Sequence, residues 1–268
     1  MNALRSFDIK SEEHSDLVWE YVKLSVIIPV YNEINTVDKI IRRVHKVPLD
    51  IEIVVIDDGS TDGTCDLLNN LKLEGVINVL LFQEVNQGKG AALRAGFEAA
   101  TGDIIAIQDA DLEYDPFELP MLIEPILSGK ADAVYGSRFL GGPHRVLFFW
   151  HMIGNRFLTL LSNIFTDLNL TDMETCYKIV HADLLKSLPL SAKRFGFEPE
   201  VTALLAKAKA RIYEMPISYN GRSYAEGKKI TWKDGLAAIY HILRSNLIGS
   251  QLEPWSPPQI QPWESRIP

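Results

Sequence analysis

From Leu24 onward, short runs of β-branched and aliphatic residues alternate with longer stretches in which apolar positions recur every three or four residues. LSVIIPV (24–30), IEIVVID (51–57), INVLLF (77–82), DIIAIQD (103–109) and ADAVYGS (131–137) read as strands. The intervening segments 35–47, 62–72, 89–100 and 116–128 read as helices, with Thr36, Thr61 or Asp62, and Asp115 followed by Pro116 as start signals. Nearly continuous apolar strands separated by helices predict βαβ units in a mainly parallel sheet covered on both faces.

The pattern changes after Arg138. A Gly-Gly-Pro turn at 141–143 leads into an amphipathic stretch, HRVLFFWHMIGNRFLTLLSNIF (144–165), followed by a strand-like TCYKIV (175–180). A helix over 198–210, a strand RIYEMPISY (211–219) and a last helix over 232–248 complete a single domain of residues 24–249. Residues 1–23 read as an N-terminal extension, and 250–268, which holds five prolines and two tryptophans from Gln251 on, as an irregular tail.

Composition removes several alternatives. The 268 residues are 47% hydrophobic and 23% charged, as in ordinary folded proteins, and the net charge of −8 opposes unspecific attraction to nucleic acid or anionic membrane. No nucleic-acid partner is expected, and any phosphate must be held by a local site. Two cysteines, Cys65 and Cys176, and an N-terminus without a signal-peptide pattern place the expected setting in the cytoplasm. The apolar stretch Val146–Ile153 is broken by His151 and falls short of the roughly 20 residues a membrane-spanning helix needs.

Ligands of open α/β sheets bind beyond the carboxyl ends of the strands. Here those ends read Pro29-Val30-Tyr31-Asn32-Glu33, Asp57-Asp58-Gly59-Ser60 and Asp109-Ala110-Asp111-Leu112-Glu113, so one rim of the sheet collects carboxylates. Crowded carboxylates raise one another's pKa unless a cation or hydrogen-bond donors compensate. Asp109 and Asp111 suit one Mg²⁺ or Mn²⁺ that also takes phosphate oxygens, although an aspartate after a strand equally serves to cap a turn. Asn86-Gln87-Gly88-Lys89-Gly90 offers backbone amides and Lys89 to a phosphate, yet lacks the third glycine of a dinucleotide fingerprint and the Lys-Ser/Thr of a P-loop.

VIIPVYNE, VVIDDGSTDGT, NQGKGAALRAG and QDADLEYDP together resemble family 2 glycosyltransferases of the GT-A fold, in the dolichol-phosphate mannose synthase and polyprenyl-phosphate glucosyltransferase branch. The resemblance runs from about Leu24 to Leu247 through Tyr135-Gly136-Ser137-Arg138-Phe139, Asp172-Met173-Glu174-Thr175-Cys176-Tyr177-Lys178, Gly196-Phe197-Glu198 and Glu214-Met215-Pro216-Ile217. It implies a mainly parallel mixed sheet flanked by helices. It implies that Pro29, Tyr31 and Glu33 line the nucleotide pocket, that Ile56 and Asp58 read the base, and that Asp109 and Ala110 lie near ribose and diphosphate. Asp111 becomes the central metal ligand, with Glu113 where related synthases carry a glutamine ligand. Arg138, and Arg222 with Lys228 or Lys229, match the family's phosphate-binding basic residues.

The reaction so implied is an inverting transfer of a hexose, from GDP-mannose or UDP-glucose, to a polyprenyl phosphate. The departing diphosphate is held by the metal and by Arg222 or its lysine neighbours. An acceptor phosphate is already anionic, so no strong general base is required, and the six histidines are assigned to packing or surface. The segment 146–165 suits an interfacial helix that brings Arg156 to a lipid phosphate at the cytoplasmic membrane face, or else packs its apolar face on the sheet or on a second subunit. A soluble or polysaccharide acceptor, a sugar nucleotidyltransferase and an inactive scaffold are the competing readings. The nucleotidyltransferase would show a glycine-rich basic loop after its first strand, where this chain has Pro-Val-Tyr-Asn-Glu.

Overall fold

The apolar runs line up as one sheet in the computed structural model, which describes residues 22–146, 148–194, 196–223, 226, 232–248 and 251–257. Its strands are Leu24–Val30 (β1), Ile51–Asp57 (β2), Val79–Phe82 (β3), Ile104–Ile107 (β4), Ala133–Ser137 (β5), Lys178–His181 (β6) and Ile212–Pro216 (β7). Their spatial order is β3-β2-β1-β4-β6-β5-β7. β1 runs parallel to β2 and β4, β2 to β3 and β5 to β7, whereas β6 is antiparallel to both its neighbours. This is the α/β architecture with a mainly parallel mixed sheet that the pattern predicts, in a single domain.

The helices are Val37–His45 (α1), Thr64–Leu73 (α2), Lys89–Ala99 (α3), Leu119–Leu127 (α4), Phe149–Thr166 (α5), Ala182–Ser187 (α6), Phe197–Lys207 (α7) and Trp232–Leu247 (α8). Ile27, Ile28, Val54, Val55 and Ile105 have no solvent exposure, as expected for strands covered on both faces, and each such side chain stabilises by about 1.5–3 kcal/mol. Gly96 lets α3 press onto the sheet, since a Cβ there would come within 2.6 Å of Ile56 Cδ1.

Several boundaries differ from the sequence reading for local reasons. The segment 116–128 opens as a 3₁₀ turn, Pro116–Glu118, whose Phe117 N–H donates to Asp115 Oδ1 at 3.0 Å. β6 begins at Lys178 rather than at Thr175. Thr175 Oγ1 donates to Gly136 O at 2.5 Å and Cys176 N donates to the Tyr114 hydroxyl at 3.3 Å, so these residues serve cross-links before the ladder starts. β3 is limited to four residues at the sheet edge.

α5 packs half-buried Leu158 and Leu161 on the core yet buries polar residues most deeply. Its fully buried residues are Thr159 and Ser162, while Phe149, Trp150, Ile153, Phe157, Leu160 and Ile164 are exposed. Thr159 accepts from Met173 N at 3.1 Å, so the inward face is used for hydrogen bonding. α8 packs against α5 and α7 and leaves Leu236, Tyr240 and Leu247 exposed. Among the described residues no helix is long and apolar enough to cross a membrane.

Candidate active site

The carboxyl ends of β1, β2 and β4 meet because parallel pairing aligns them: Val30 lies beside Asp57, and Ile27 beside Ile107. Two non-glycine residues take left-handed backbone here, Asn32 (φ 52°) and Leu112 (φ 64°), conformations costing on the order of 1–2 kcal/mol. Asn32 is held by its N–H to Ser60 Oγ (2.9 Å) and by accepting Thr61 N at 2.8 Å, which ties the first loop to the second. The Leu112 twist folds the third loop so that Glu113 N donates to Asp111 Oδ1 at 3.1 Å.

Arg222 lies across this rim. Its guanidinium donates to Glu33 at 3.2 and 3.3 Å and to Asp111 Oδ2 at 3.1 Å, and its backbone N–H donates to Glu113 Oε1 at 2.6 Å. Tyr219 OH donates to the second Glu113 oxygen at 2.7 Å. Three sequence-predicted acids from two strand ends therefore converge on one predicted base, 109 or more residues away in the chain.

Asp109 turns the other way. Lys89 Nζ stands 2.9 Å from Asp109 Oδ1 and 3.1 Å from Glu198 Oε1. Burial works against ionisation of Asp109, but the Lys89 ammonium prevails and holds its carboxyl below the usual range. Asp111 is shifted upward instead, first by burial and then by the charges of Asp109 and Glu113.

The remaining predicted residues are placed as follows. Pro29 and Ile56 are paired neighbours in β1 and β2, Ile56 fully buried, and Tyr31 is exposed at the rim. Ala110 is buried. Asp58 accepts from Gln87 N (2.7 Å) and Gly88 N (2.8 Å), so its carboxylate holds the glycine-rich turn against the second strand. Arg138 makes a bidentate pair with the fully buried Asp172, at 2.6 and 2.8 Å, and stacks 5.1 Å from the Tyr219 ring centre. Arg156, exposed on α5, stands 5.9 Å from the Phe139 ring, whose other neighbour is Arg138 at 5.8 Å. Lys228 and Lys229 lie outside the described residues.

Asp172, Glu174 and Glu198 received no role from sequence. Glu198 Oε2 and Glu174 Oε1 are buried without hydrogen-bond partners. Glu174 is pushed up by burial, and then by the charge of Glu198. The available signal was the acidic Phe197-Glu198-Pro199-Glu200 opening of α7, which amphipathic periodicity does not require.

The donor set suits a hard divalent cation: oxygen ligands, a carboxyl raised by burial and by its like-charged neighbours, and a guanidinium already lodged among them as a positive charge. Among the described residues no three acidic or imidazole side chains are already gathered as ligands for one metal ion: Asp109 faces Lys89, while Asp111 and Glu113 face Arg222.

A model described as glycosyl transferase family 2 matches residues 25–188. The chain belongs to that family. This family 2 glycosyltransferase is 31% identical over 220 residues to undecaprenyl-phosphate mannosyltransferase of Micrococcus luteus, covering 77% of this chain and 87% of that one. It is 27% identical over 228 residues to dolichol-phosphate mannosyltransferase of Pyrococcus furiosus, covering 83% of this chain and 63% of that protein's length. Its fold matches crystal structures of glucosyl-3-phosphoglycerate synthase from Mycobacterium tuberculosis, one with Mn²⁺, UDP and glucosyl-3-phosphoglycerate (TM-score 0.67, 21% identity, 93% of this chain and 88% of that one). The glycosyltransferase has the GT-A fold that the motifs imply.

Proposed function

We propose that this glycosyltransferase moves a hexose, mannose or glucose, from a nucleotide-diphosphate sugar to a polyprenyl phosphate with inversion at the anomeric carbon. The observation that carries the donor half is Arg222 held among Glu33, Asp111 and Glu113, a cation placed where a diphosphate and its counter-ion would meet the acidic rim. The acceptor half is supported by the relatives, which are mannosyltransferases of undecaprenyl and dolichol phosphate.

Asp111 and Glu113 would hold Mg²⁺ or Mn²⁺, with Asp109 beside them. When bound, the metal supplies charge stabilisation for the leaving diphosphate. The chain's own residues do the rest. Arg222 moves from its carboxylates to the diphosphate, joined by Lys228 or Lys229, and Lys89 keeps Asp109 ionised and fixed. Pro29, Tyr31, Glu33, Ile56 and Asp58 border the nucleotide, Asp58 acting through the turn it holds. The phosphate oxygen of the acceptor arrives ionised, so positioning is the main requirement, and Arg156 beside the Arg138–Phe139 stack would bring that phosphate in.

The outward apolar face of α5 supports peripheral membrane contact at the cytoplasmic face. Trp150 is 77% exposed and Ile164 68%, an arrangement that water disfavours and a lipid interface stabilises.

Calorimetric titration of UDP- and GDP-sugars with Mn²⁺ or Mg²⁺, then with EDTA, tests the reading. One nucleotide sugar is expected to bind in a metal-dependent manner and to transfer its sugar to undecaprenyl phosphate. Binding without transfer to any polyprenyl phosphate would move the acceptor to a soluble or polysaccharide substrate. Absence of donor binding would leave an inactive scaffold.

A further inference from the structure

A cavity of about 650 Å³ lies outside the acidic rim, between the Asn86-Gln87 turn, the loop 191–194 and the inner face of α8. Lys193, Arg194, His241 and Arg244 line it against a single acid, Asp234. Lys193 and Arg194 form no ion pair among the described residues, and Arg244 donates to the uncharged Ser191 Oγ at 3.2 Å. By contrast Arg42, Arg43, Arg138, Arg145, Arg211 and Arg222 are all paired with carboxylates. The carboxylate that Arg194 influences, Asp58, has its oxygens engaged by Gln87 N and Gly88 N. His241 Nδ1 is buried with no hydrogen-bond partner. Like charges gathered in a protein of net charge −8 repel one another unless an anion is shared.

The loop that presents these cations is built rather than loose. Ser191 N and Ala192 N donate to Glu200 Oε2 at 2.9 and 2.8 Å, and Ser191 Oγ donates to Glu200 Oε1 at 2.6 Å. Ala91 N donates to Lys193 O at 3.1 Å, and Arg94 donates to Ala192 O, which joins the loop to the first turn of α3. That turn carries Lys89. An anion bridging Lys193, Arg194 and Arg244 would therefore draw the loop toward α8 and stiffen the turn from which Lys89 reaches Asp109.

We propose that this cavity is a second anion site, distinct from the donor rim, that binds the phosphomonoester group of a ligand. Guanidinium groups from two elements, the loop and α8, together with an ammonium, match a dianionic tetrahedral group. The volume exceeds what free phosphate fills and lies within the range of organic-ligand pockets, roughly 300–1,000 Å³. The bearer is either a lipid phosphate headgroup or a soluble phosphorylated metabolite, which share this chemistry.

The full chain is titrated calorimetrically with inorganic phosphate, and compared with Lys193→Glu and Arg194→Ala/Arg244→Ala. Lys193 is exposed and unpaired, so its reversal leaves the fold intact and guards against a folding failure in the double variant. Each variant is expected to bind phosphate at least about tenfold more weakly, the effect of losing a charge-assisted contact. Unchanged affinity in both variants, no phosphate binding by the parent chain, or displacement of the phosphate by UDP or GDP would overturn the proposal. Donor binding measured with Mn²⁺ in the same variants is expected to persist, so failure of the transfer reading is seen separately. Two further arms identify the bearer. A gain in retention when undecaprenyl phosphate is added to phosphatidylcholine vesicles, absent in Lys193→Glu, indicates a lipid headgroup; competition by glycerol 3-phosphate without that gain indicates a soluble ligand.

Discussion

Asp109 and Asp111 are two positions apart, yet their surroundings push ionisation in opposite directions: Lys89 lowers the first, while burial and two neighbouring carboxylates raise the second. Asp111→Asn is expected to leave the fold intact and reduce turnover by about 10²–10³-fold, as loss of a preorganised charge contact does. Circular dichroism and steady-state kinetics check this, and unchanged turnover removes Asp111 from the metal site. Arg138 and Arg156 separate by the same logic. Arg138→Ala strands the buried Asp172 and is expected to cost about 3–5 kcal/mol in denaturant unfolding. Arg156→Ala, on the exposed face of α5, is expected to change stability by no more than about 0.5 kcal/mol while raising KM for the lipid acceptor. Glu52 offers a pH test away from the site. Burial opposes its charge, but hydrogen bonds from Ser25 and Thr101 and the Lys23 ammonium prevail and hold its carboxyl at about 2. A lowered folded-state value stabilises above the ordinary carboxylate range, and that contribution is lost as pH falls through it toward about 2. Glu52→Gln is expected to cost about 1–3 kcal/mol at neutral pH and to flatten the acid limb of the stability profile.

At the scale of elements, the site depends on loops held in register by backbone contact. Gly59 has φ 73°, and a Cβ there would stand 2.9 Å from Asn86 N and Val85 C, so the β2 end and the turn before α3 touch through main chain. Gly59→Ala is expected to destabilise by about 2 kcal/mol or more, read from the denaturation midpoint at constant slope, because neither backbone can retreat. Strand and helix positions in the first half were legible in sequence because each element's periodicity is local. The second half was less so: TCYKIV reads as a strand throughout, but Thr175 and Cys176 are claimed by Gly136 and Tyr114 from distant elements. Asp58 reads as a base-contacting residue, and its carboxylate turns out to hold two amides of the glycine-rich turn, a role that sequence spacing does not reveal.

Across the whole molecule, the surface is divided between an acidic rim, a cationic cavity and an apolar helical face. The α5 face predicts association with phosphatidylcholine vesicles. Trp150→Glu/Phe157→Glu is expected to weaken sedimentation with them at least about tenfold, without changing the thermal midpoint, since both side chains are exposed in the folded chain. Equal sedimentation would assign that face to another contact. Sequence alone determined the order of strands and helices except for the short helix Ala182–Ser187, which it did not foresee, together with the strand ends at which carboxylates collect and the family to which the motifs belong, because these follow from periodicity and from residues adjacent in the chain. It left open which way the 146–165 helix turns. The tertiary structure decided that Thr159 and Ser162 face inward, with Thr159 accepting from Met173 N. It also decided that Arg222 sits among Glu33, Asp111 and Glu113, Lys89 between Asp109 and Glu198, and three cations around one cavity. Those pairings join residues up to 189 positions apart, and electrostatic partners at such separations are chosen by the packing of the sheet, to which local pattern is blind.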